Sequence, residues 1–421
     1  MTRIIVNSHG EDRILRGHPW VYDNEILRII GNDVLIPGEV VDVESSHKSY
    51  LGRALANPHS KISARIFSHS KEGLDKGFFK RKIRESLERR SGFDIQRDSF
   101  RIIFGEADFL PGLIVDRFVG WPLDEIESAL PSFPVEFPQI FSRCGPPRSW
   151  LGIQCLTFGM DSRRDQILEA LDEVLPDKPS GVIEKSGSKV RELEGLEPCD
   201  AMIRGTFPDN GIVIFENNFP FVVPSAGQKT GHFLDQRENR RQTAHYAAGK
   251  TVLDLCCYTG AFAMHCARHG ALSVTAVDAS ADALELVQTN ARLNGVAIDS
   301  VKADVFDLLP AYQRENRHFD LIILDPPAFA KSHHDLDRAS AGYKQLNFRA
   351  FNLLNPGGIL ITCSCSQAFD EYRFKAMITS AALDADRRIV QVDFRYQDTD
   401  HPILIGYGES LYLKCGVYRV L

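Results

Sequence analysis

The chain has 421 residues, 43% hydrophobic and 25% charged, with a formal net charge of −7. That length exceeds one ordinary core and implies two or three domains of soluble globular composition; the negative balance excludes a general polyanion binder but allows a local basic face. No apolar run reaches the ~18 residues needed to span a bilayer, Met1-Thr2-Arg3-Ile4-Ile5 lacks the shape of a signal peptide, and nine scattered cysteines without paired CxxC motifs point to a cytoplasmic protein with no metal site.

Residues 1–72 read as short strands between turns: Arg3 to Val6, Gly38 to Val43, Tyr50 to Ala54 and Ile62 to Phe67. Alternation and Gly/Pro punctuation predict a small β-barrel-like unit. Lys76 to Arg90 follows as a basic helix, with seven basic and two acidic residues and with Phe79, Ile83 and Leu87 at helical spacing. A solvated helix face is the more economical reading of such a run; an RNA contact is the alternative.

Arg101 to Phe104 and Gly112 to Asp116 predict a hairpin, and Asp161 to Val174 a helix, within a small α/β unit over 73–195. Gly120 to Pro147 is rich in Pro and Ser, gives no period and reads as a loop or insertion. Residues 199–225 return to short strands that lead into a last unit, 196–421. From Thr251 onward, strands alternate with helices over Ala281 to Asn294, Tyr343 to Leu354 and Asp370 to Asp384, the pattern of a doubly wound parallel α/β sheet.

The turn after Val252-Leu253-Asp254-Leu255 runs Tyr258-Thr259-Gly260 into a helix. A glycine there lets backbone approach a ligand, and the helix start offers free N–H groups. Only Gly260 of a GxGxxG pattern is present, so a pyrophosphate is poorly served and an adenosine such as that of S-adenosylmethionine fits better. Asp278 closes the next strand, where a carboxylate can accept both ribose hydroxyls, and Asp304 after the third strand can meet the adenine amine. A lone strand-end Asp is more often a helix cap; three in series make that reading less economical.

Asp325-Pro326-Pro327 ends a fourth strand, Phe319 to Leu324, and Cys365 follows a fifth, Ile359 to Thr362. Two prolines cannot continue a sheet and hold an extended loop over the site. A strand-end Cys is usually inert, but beside Asp325 it can serve as a nucleophile. C5 of cytosine is a poor nucleophile; a thiolate added to C6 would make it carbanion-like, and a protonated Asp325 could donate to N3. Cys363 faces the opposite side if both lie in extended chain. Four such motifs in this order predict a methyltransferase.

Several segments carry a family resemblance: Leu15-Arg16-Gly17-His18-Pro19-Trp20-Val21-Tyr22, Gly105 to Arg117, Gly227 to Arg237, Asp325-Pro326-Pro327, Gly342-Tyr343-Lys344 and Ser364-Cys365-Ser366. Over most of its length the chain resembles the bacterial 23S rRNA 5-methylcytosine methyltransferases that carry an N-terminal PUA domain. The resemblance implies a class I methyltransferase domain behind a PUA domain, with S-adenosylmethionine as cofactor. Lys229, Thr230, Gly231, Phe233, Asp235, Gln236 and Arg237 would lie near the cofactor's methionine end, and Asp254, Tyr258, Thr259, Gly260, Asp278, Asp304 and Asp325 would complete the cofactor site. It implies Cys365 and Asp325 as catalytic residues and 23S rRNA as partner; the oligomeric state stays open, a homodimer among the alternatives.

The chain departs from the pattern over 119–150 and at Ala328, where a wider group of cytosine methyltransferases places a second Cys. Rival readings are methylation of an exocyclic amine with Cys365 structural, a non-catalytic RNA-binding protein, and a nicotinamide oxidoreductase, the last disfavoured by the missing glycines.

Overall fold

In the computed structural model, all residues are described except 33, 131–133, 226–230 and 330–335. Three sheets follow one another along the chain. The first orders its strands Trp20–Tyr22, Ile62–Ser68, Tyr50–Ala56, Val40–Ser45, Arg3–Val6 and Ile26–Ile30. Ile4, Val6, Val21, Val41, Val43 and Ala64 fill its core. Two of its strands, Trp20–Tyr22 and Ile26–Ile30, and the helix Ser8–Leu15 escaped the sequence reading. Each is too short to show a period.

The basic helix forms over Lys76–Arg89, capped by Asp75, which accepts from Phe78 N at 3.0 Å. Phe78, Phe79 and Ile83 are buried among Ile102, Leu113 and Leu171. Six of its basic residues are ion-paired: Lys76 and Lys80 to Glu173, Arg81 and Lys82 to Glu85, and Arg89 and Arg90 to Asp108. Its apolar side thus packs into the core, while six of its cations share the three carboxylates of Glu173, Glu85 and Asp108.

The second sheet runs Cys199–Gly205, Gly181–Ser186, Arg148–Cys155, Leu113–Pro122, Ile212–Glu216, Phe219–Val223, with Phe100–Phe104 paired antiparallel to Leu113–Pro122 as the hairpin reading expected. The strands of 199–223, expected as a lead-in to the last unit, are hydrogen-bonded into this sheet. The stretch expected as a loop holds two helices, Leu123–Ala129 and Phe137–Cys144. A proline in the first turn of the second helix, Pro138, starts it rather than breaking it. Trp121, Ile126, Ile140, Phe215 and Leu293 form the small core beneath them.

The third sheet orders Asp299–Lys302, Ser273–Asp278, Thr251–Leu255, Phe319–Leu324, Leu354–Ser364, Lys414–Val420 and Ile389–Arg395. The first five are parallel, and Lys414–Val420 is antiparallel to both of its neighbours. Its strands are apolar on both faces: Val252, Ile323 and Ile361 pack to one side, Leu253, Ile322 and Leu360 to the other. Strand order reverses at Thr251–Leu255 and Phe319–Leu324, so a ligand crevice opens beyond their carboxyl ends.

The second and third sheets share one core, in which Phe118, Trp150 and Phe221 meet Ala261, Met264 and Val287. Asn290, on the helix Ala281–Asn294, ties them: its Oδ1 accepts from Val222 N at 2.8 Å and its Nδ2 donates to Thr259 O at 2.9 Å. No described helix is long and apolar enough to cross a membrane.

Candidate active site

The crevice is a cavity of about 570 Å³ beyond the strand ends, lined in part by Tyr258, Thr259, Asp278, Asp304, Asp325 and Cys365. Its floor is the turn after Thr251–Leu255, where Cys256, Tyr258 and Gly260 have φ of 58°, 51° and 75°. Left-handed backbone costs a non-glycine residue about 1–3 kcal/mol and persists only where its surroundings impose it. Asp278 supplies part of that constraint. Its two carboxylate oxygens accept from Tyr258 N and from Ser280 N, both at 2.9 Å. Tyr258 Oη donates to Gly231 O at 3.2 Å, closing the turn against the segment that enters the helix Arg237–Ala244.

The structure gathers most of the expected residues and places others apart. Phe233, Asp235 and Gln236 line the cavity with Tyr258 and Asp278, the Phe233 ring 5.4 Å from that of Tyr258. Asp304 caps the helix Val305–Arg314 through Phe306 N at 2.8 Å, as the cap reading expected, and it also lines the cavity. Asp254 is buried behind the cavity, not in its wall: it accepts from Ala263 N at 3.0 Å, and burial pushes its carboxyl well above the usual carboxylate range. Arg237 is directed elsewhere, donating to Ser99 O with its guanidinium 4.7 Å above the Phe93 ring. Gly260 starts the helix Ala261–Arg268 beneath the lining. Lys229 and Thr230 lie outside the described residues.

Asp325 and Cys365 come together across the strand ends. Gln236 Nε2 donates to Asp325 Oδ2 at 3.0 Å. Tyr343, fully buried on the helix Leu336–Leu353, joins the two loops: its hydroxyl lies 2.9 Å from Ser366 Oγ, and its ring is 4.6 Å from that of Phe329. Cys363 packs into the core opposite Cys415; a hydrogen bond to Cys415 and burial push its thiol well above the ordinary range. Cys365 is half-buried and also lines a second cavity of about 820 Å³ that opens toward Trp20, Arg65, Phe104 and Tyr407. His232, Phe233, Asp235 and Cys365 form the wall common to both cavities.

Sequence reasoning missed the cluster behind this wall. Glu216, at the end of a strand of the second sheet, accepts from Arg240 Nε at 2.6 Å and from Arg240 Nη2 at 2.5 Å. His232 and His265 reach the same carboxylate at 2.9 and 3.3 Å. Burial alone would raise the Glu216 carboxyl, but Arg240 and the imidazoles outweigh it and hold it well below the usual carboxylate range. Burial pushes both imidazoles below their ordinary range. Arg240 also donates to Phe233 O at 2.7 Å, so the cluster positions the common wall. The only sequence signal was a lone Glu closing an apolar strand.

A PUA-like domain family matches residues 4–69, and an S-adenosylmethionine-dependent methyltransferase family matches residues 200–382. A Shewanella denitrificans protein named ribosomal RNA large subunit methyltransferase I is 37% identical over 99% of both chains. Its namesake from Vibrio cholerae is 36% identical over the full length of both. The chain belongs to the ribosomal RNA large subunit methyltransferase I family. It is an S-adenosylmethionine-dependent methyltransferase, and its fold is shared with a Streptococcus mutans S-adenosylmethionine-dependent methyltransferase, with a TM-score of 0.79, 23% identity and full coverage of both chains.

The cavity suits the cofactor of this family of methyltransferases. Asp235, Asp278, Asp304 and Asp325 offer acceptors to hydroxyls, an amine and cationic centres, and Phe233, Tyr258 and Phe306 offer flat apolar faces. A pyrophosphate would meet these carboxylates with like charge. We propose the ribose at Asp278, the adenine on the Asp304–Phe306 side and the methionine end at Asp235 and Gln236.

Proposed function

We propose that this methyltransferase forms 5-methylcytosine in large-subunit (23S) rRNA, with Cys365 as nucleophile and Asp325 as the proton donor to the base. The observation that carries this reading is the position of Cys365 in the wall common to two cavities, beside Asp325. One cavity fits the cofactor. The other opens between the sheets and can receive a base that has left its stack.

The Cys365 thiolate adds to C6, forming an S–C6 bond, while Asp325 gives a proton to N3 and electron density moves to C5. The cofactor, when bound, would supply an electrophilic methyl group, which C5 takes with the electron pair that addition at C6 releases, the methyl's former bond breaking onto the cofactor's sulfur. C5 then gives its proton to solvent water, the C5–C6 double bond reforms as the S–C6 bond breaks, and N3 returns its proton to Asp325. The thiolate is restored.

Trp20 and Arg65 of the PUA-like sheet and Arg101 and Lys185 of the second sheet line the outer cavity, which supports RNA docking by shape and backbone across both. We place the domain boundary near residue 224, since 199–223 pair in the second sheet, with the PUA-like unit at 1–72. Nine free thiols support a reducing, cytoplasmic setting. Nucleoside mass spectrometry of 23S rRNA incubated with enzyme and cofactor tests the reading. 5-Methylcytidine supports it; N4-methylcytidine would return the chemistry to the exocyclic amine.

A further inference from the structure

Lys414 is 1% exposed, one of the largest fully buried side chains in the molecule. It opens the strand Lys414–Val420, opposite Ser364 in the antiparallel register, one residue before Cys365. Cys415 and Cys363 form the next pair and turn into the core, so Lys414 and Ser364 share the other face. Its Nζ donates to Ser366 O and to Tyr412 O, both at 2.7 Å. The first belongs to the residue directly after Cys365, the second to the residue two before Lys414 itself.

A buried ammonium normally has a carboxylate partner, because desolvation costs several kcal/mol per ion. Among the described residues Lys414 has no ion pair; the charges that favour its protonation are those of Cys365, first, and Asp370. An ammonium carries three N–H donors, and the two carbonyls use two of them.

We propose that Lys414 is a positioning residue for Cys365: its ammonium, fixed by the carbonyls of Ser366 and Tyr412, keeps the Cys365 sulfur ionised and aimed into the common wall. This inference rests on Cys365 being the nucleophile. The thiol proton goes to bulk water before the base enters, and no other bond changes.

Burial pushes the Lys414 amine down to about 8, with Cys365 pulling the other way. The ammonium is therefore present below about 8 and lost above it, and loss of the thiolate lowers that limit further. Other charged or titratable groups also face this corner. Asp370 caps the helix Glu371–Asp384, Tyr343 comes from Leu336–Leu353, and Asp325 follows Phe319–Leu324. Asp235, His232, His401, Glu409, Arg101 and Tyr412 line the outer cavity with Cys365. Most of the nearby carboxylates oppose a thiolate, which is why one buried cation beside it matters.

The test is the pH dependence of Cys365 alkylation by iodoacetamide in the full-length protein without RNA, read by peptide mass spectrometry. Lys414→Met should raise the midpoint and slow alkylation near neutral pH about tenfold or more, whereas Lys414→Arg should keep the midpoint close to that of the parent. An unchanged midpoint in Lys414→Met overturns the proposal. If that variant does not fold, the thiolate absorbance of the unmodified protein minus that of Cys365→Ser decides. It should titrate below the ~8.5 of an ordinary thiol, and a midpoint at or above that value overturns the proposal. Failure of Cys365 as nucleophile is recognised separately, by the absence of a covalent adduct with 5-fluorocytosine RNA whatever the alkylation curve shows.

Discussion

Gln236 Nε2 donates to Asp325 Oδ2 at 3.0 Å, while Gln236 Oε1 accepts from Asn239 Nδ2 at 2.7 Å. The amide is thus held in one orientation, and Oδ2 of Asp325 is an acceptor. A proton carried by Asp325 belongs on Oδ1, the oxygen that would donate to a cytosine N3.

Asp325→Asn should lower turnover about 10²–10⁴-fold, the usual contribution of a positioned acid. Gln236→Leu, which leaves the carboxyl in place but removes its orientation, should cost about 10–100-fold. Steady-state kinetics with separate calorimetry of cofactor binding checks both. A loss confined to cofactor affinity would contradict the assigned role of Asp325.

Asp278 holds the strained turn, since both its oxygens accept backbone N–H groups, and it is also the proposed ribose partner. Asp278→Ala should therefore weaken cofactor binding by about 1–3 kcal/mol and also lower thermal stability, because Tyr258 N and Ser280 N lose their partner. Calorimetry with S-adenosylhomocysteine, paired with thermal unfolding, reads both effects. Unchanged affinity in a folded variant would remove Asp278 from the ribose site.

The Glu216 cluster makes the fold acid-labile. The folded-state Glu216 carboxyl lies below its unfolded value, so its contribution is present above about 4.3 and is lost as pH falls through the folded value. His232 and His265, also held below their unfolded value, act in the same direction: stability falls as pH drops below about 6.5, where the unfolded chain takes up their protons first. Thermal midpoints should decline from that pH downward. Glu216→Gln should cost about 3–5 kcal/mol near neutral pH by leaving the Arg240 cation buried without its partner. A pH-independent melting curve between pH 7 and 5 would count against the cluster.

The helix Lys76–Arg89 should contribute little to RNA binding. Its outer lysines are paired with Glu173, and exposed pairs contribute at most about 1 kcal/mol. Replacing Lys76 and Lys80 by Gln should leave the KM for rRNA within about twofold and stability within about 1 kcal/mol. A large rise in KM would restore the helix as an RNA contact.

What the sequence made legible was the cofactor-side edge of the last sheet. Asp278 ends a strand and Asp304, Asp325 and Cys365 each follow one within two residues, and a doubly wound order brings such ends together without further information. The helix Ala281–Asn294 was equally clear, because a Ser cap, an apolar period and a closing glycine agree. The helices of 123–144 were hidden because seven or eight residues and a proline-rich lead show no period. Arg237 could not be oriented from sequence, since its partners Ser99 and Phe93 come from the second unit. The Glu216 cluster joins residues 49 positions apart and leaves no local pattern. Lys414 did leave a trace, a lysine among the apolar residues of Leu413 to Val417, whose meaning depends on its opposition to Ser364.

The measurement closest to the central claim is covalent trapping on RNA carrying 5-fluorocytosine at the target position. Fluorine at C5 cannot leave as a proton, so a Cys365–C6 adduct formed with cofactor present should persist through denaturation. Peptide mass spectrometry should place it on Cys365. Cys365→Ser should give neither adduct nor turnover, and Cys363→Ser should retain both. An adduct on Cys363, or full turnover by Cys365→Ser, would contradict the account.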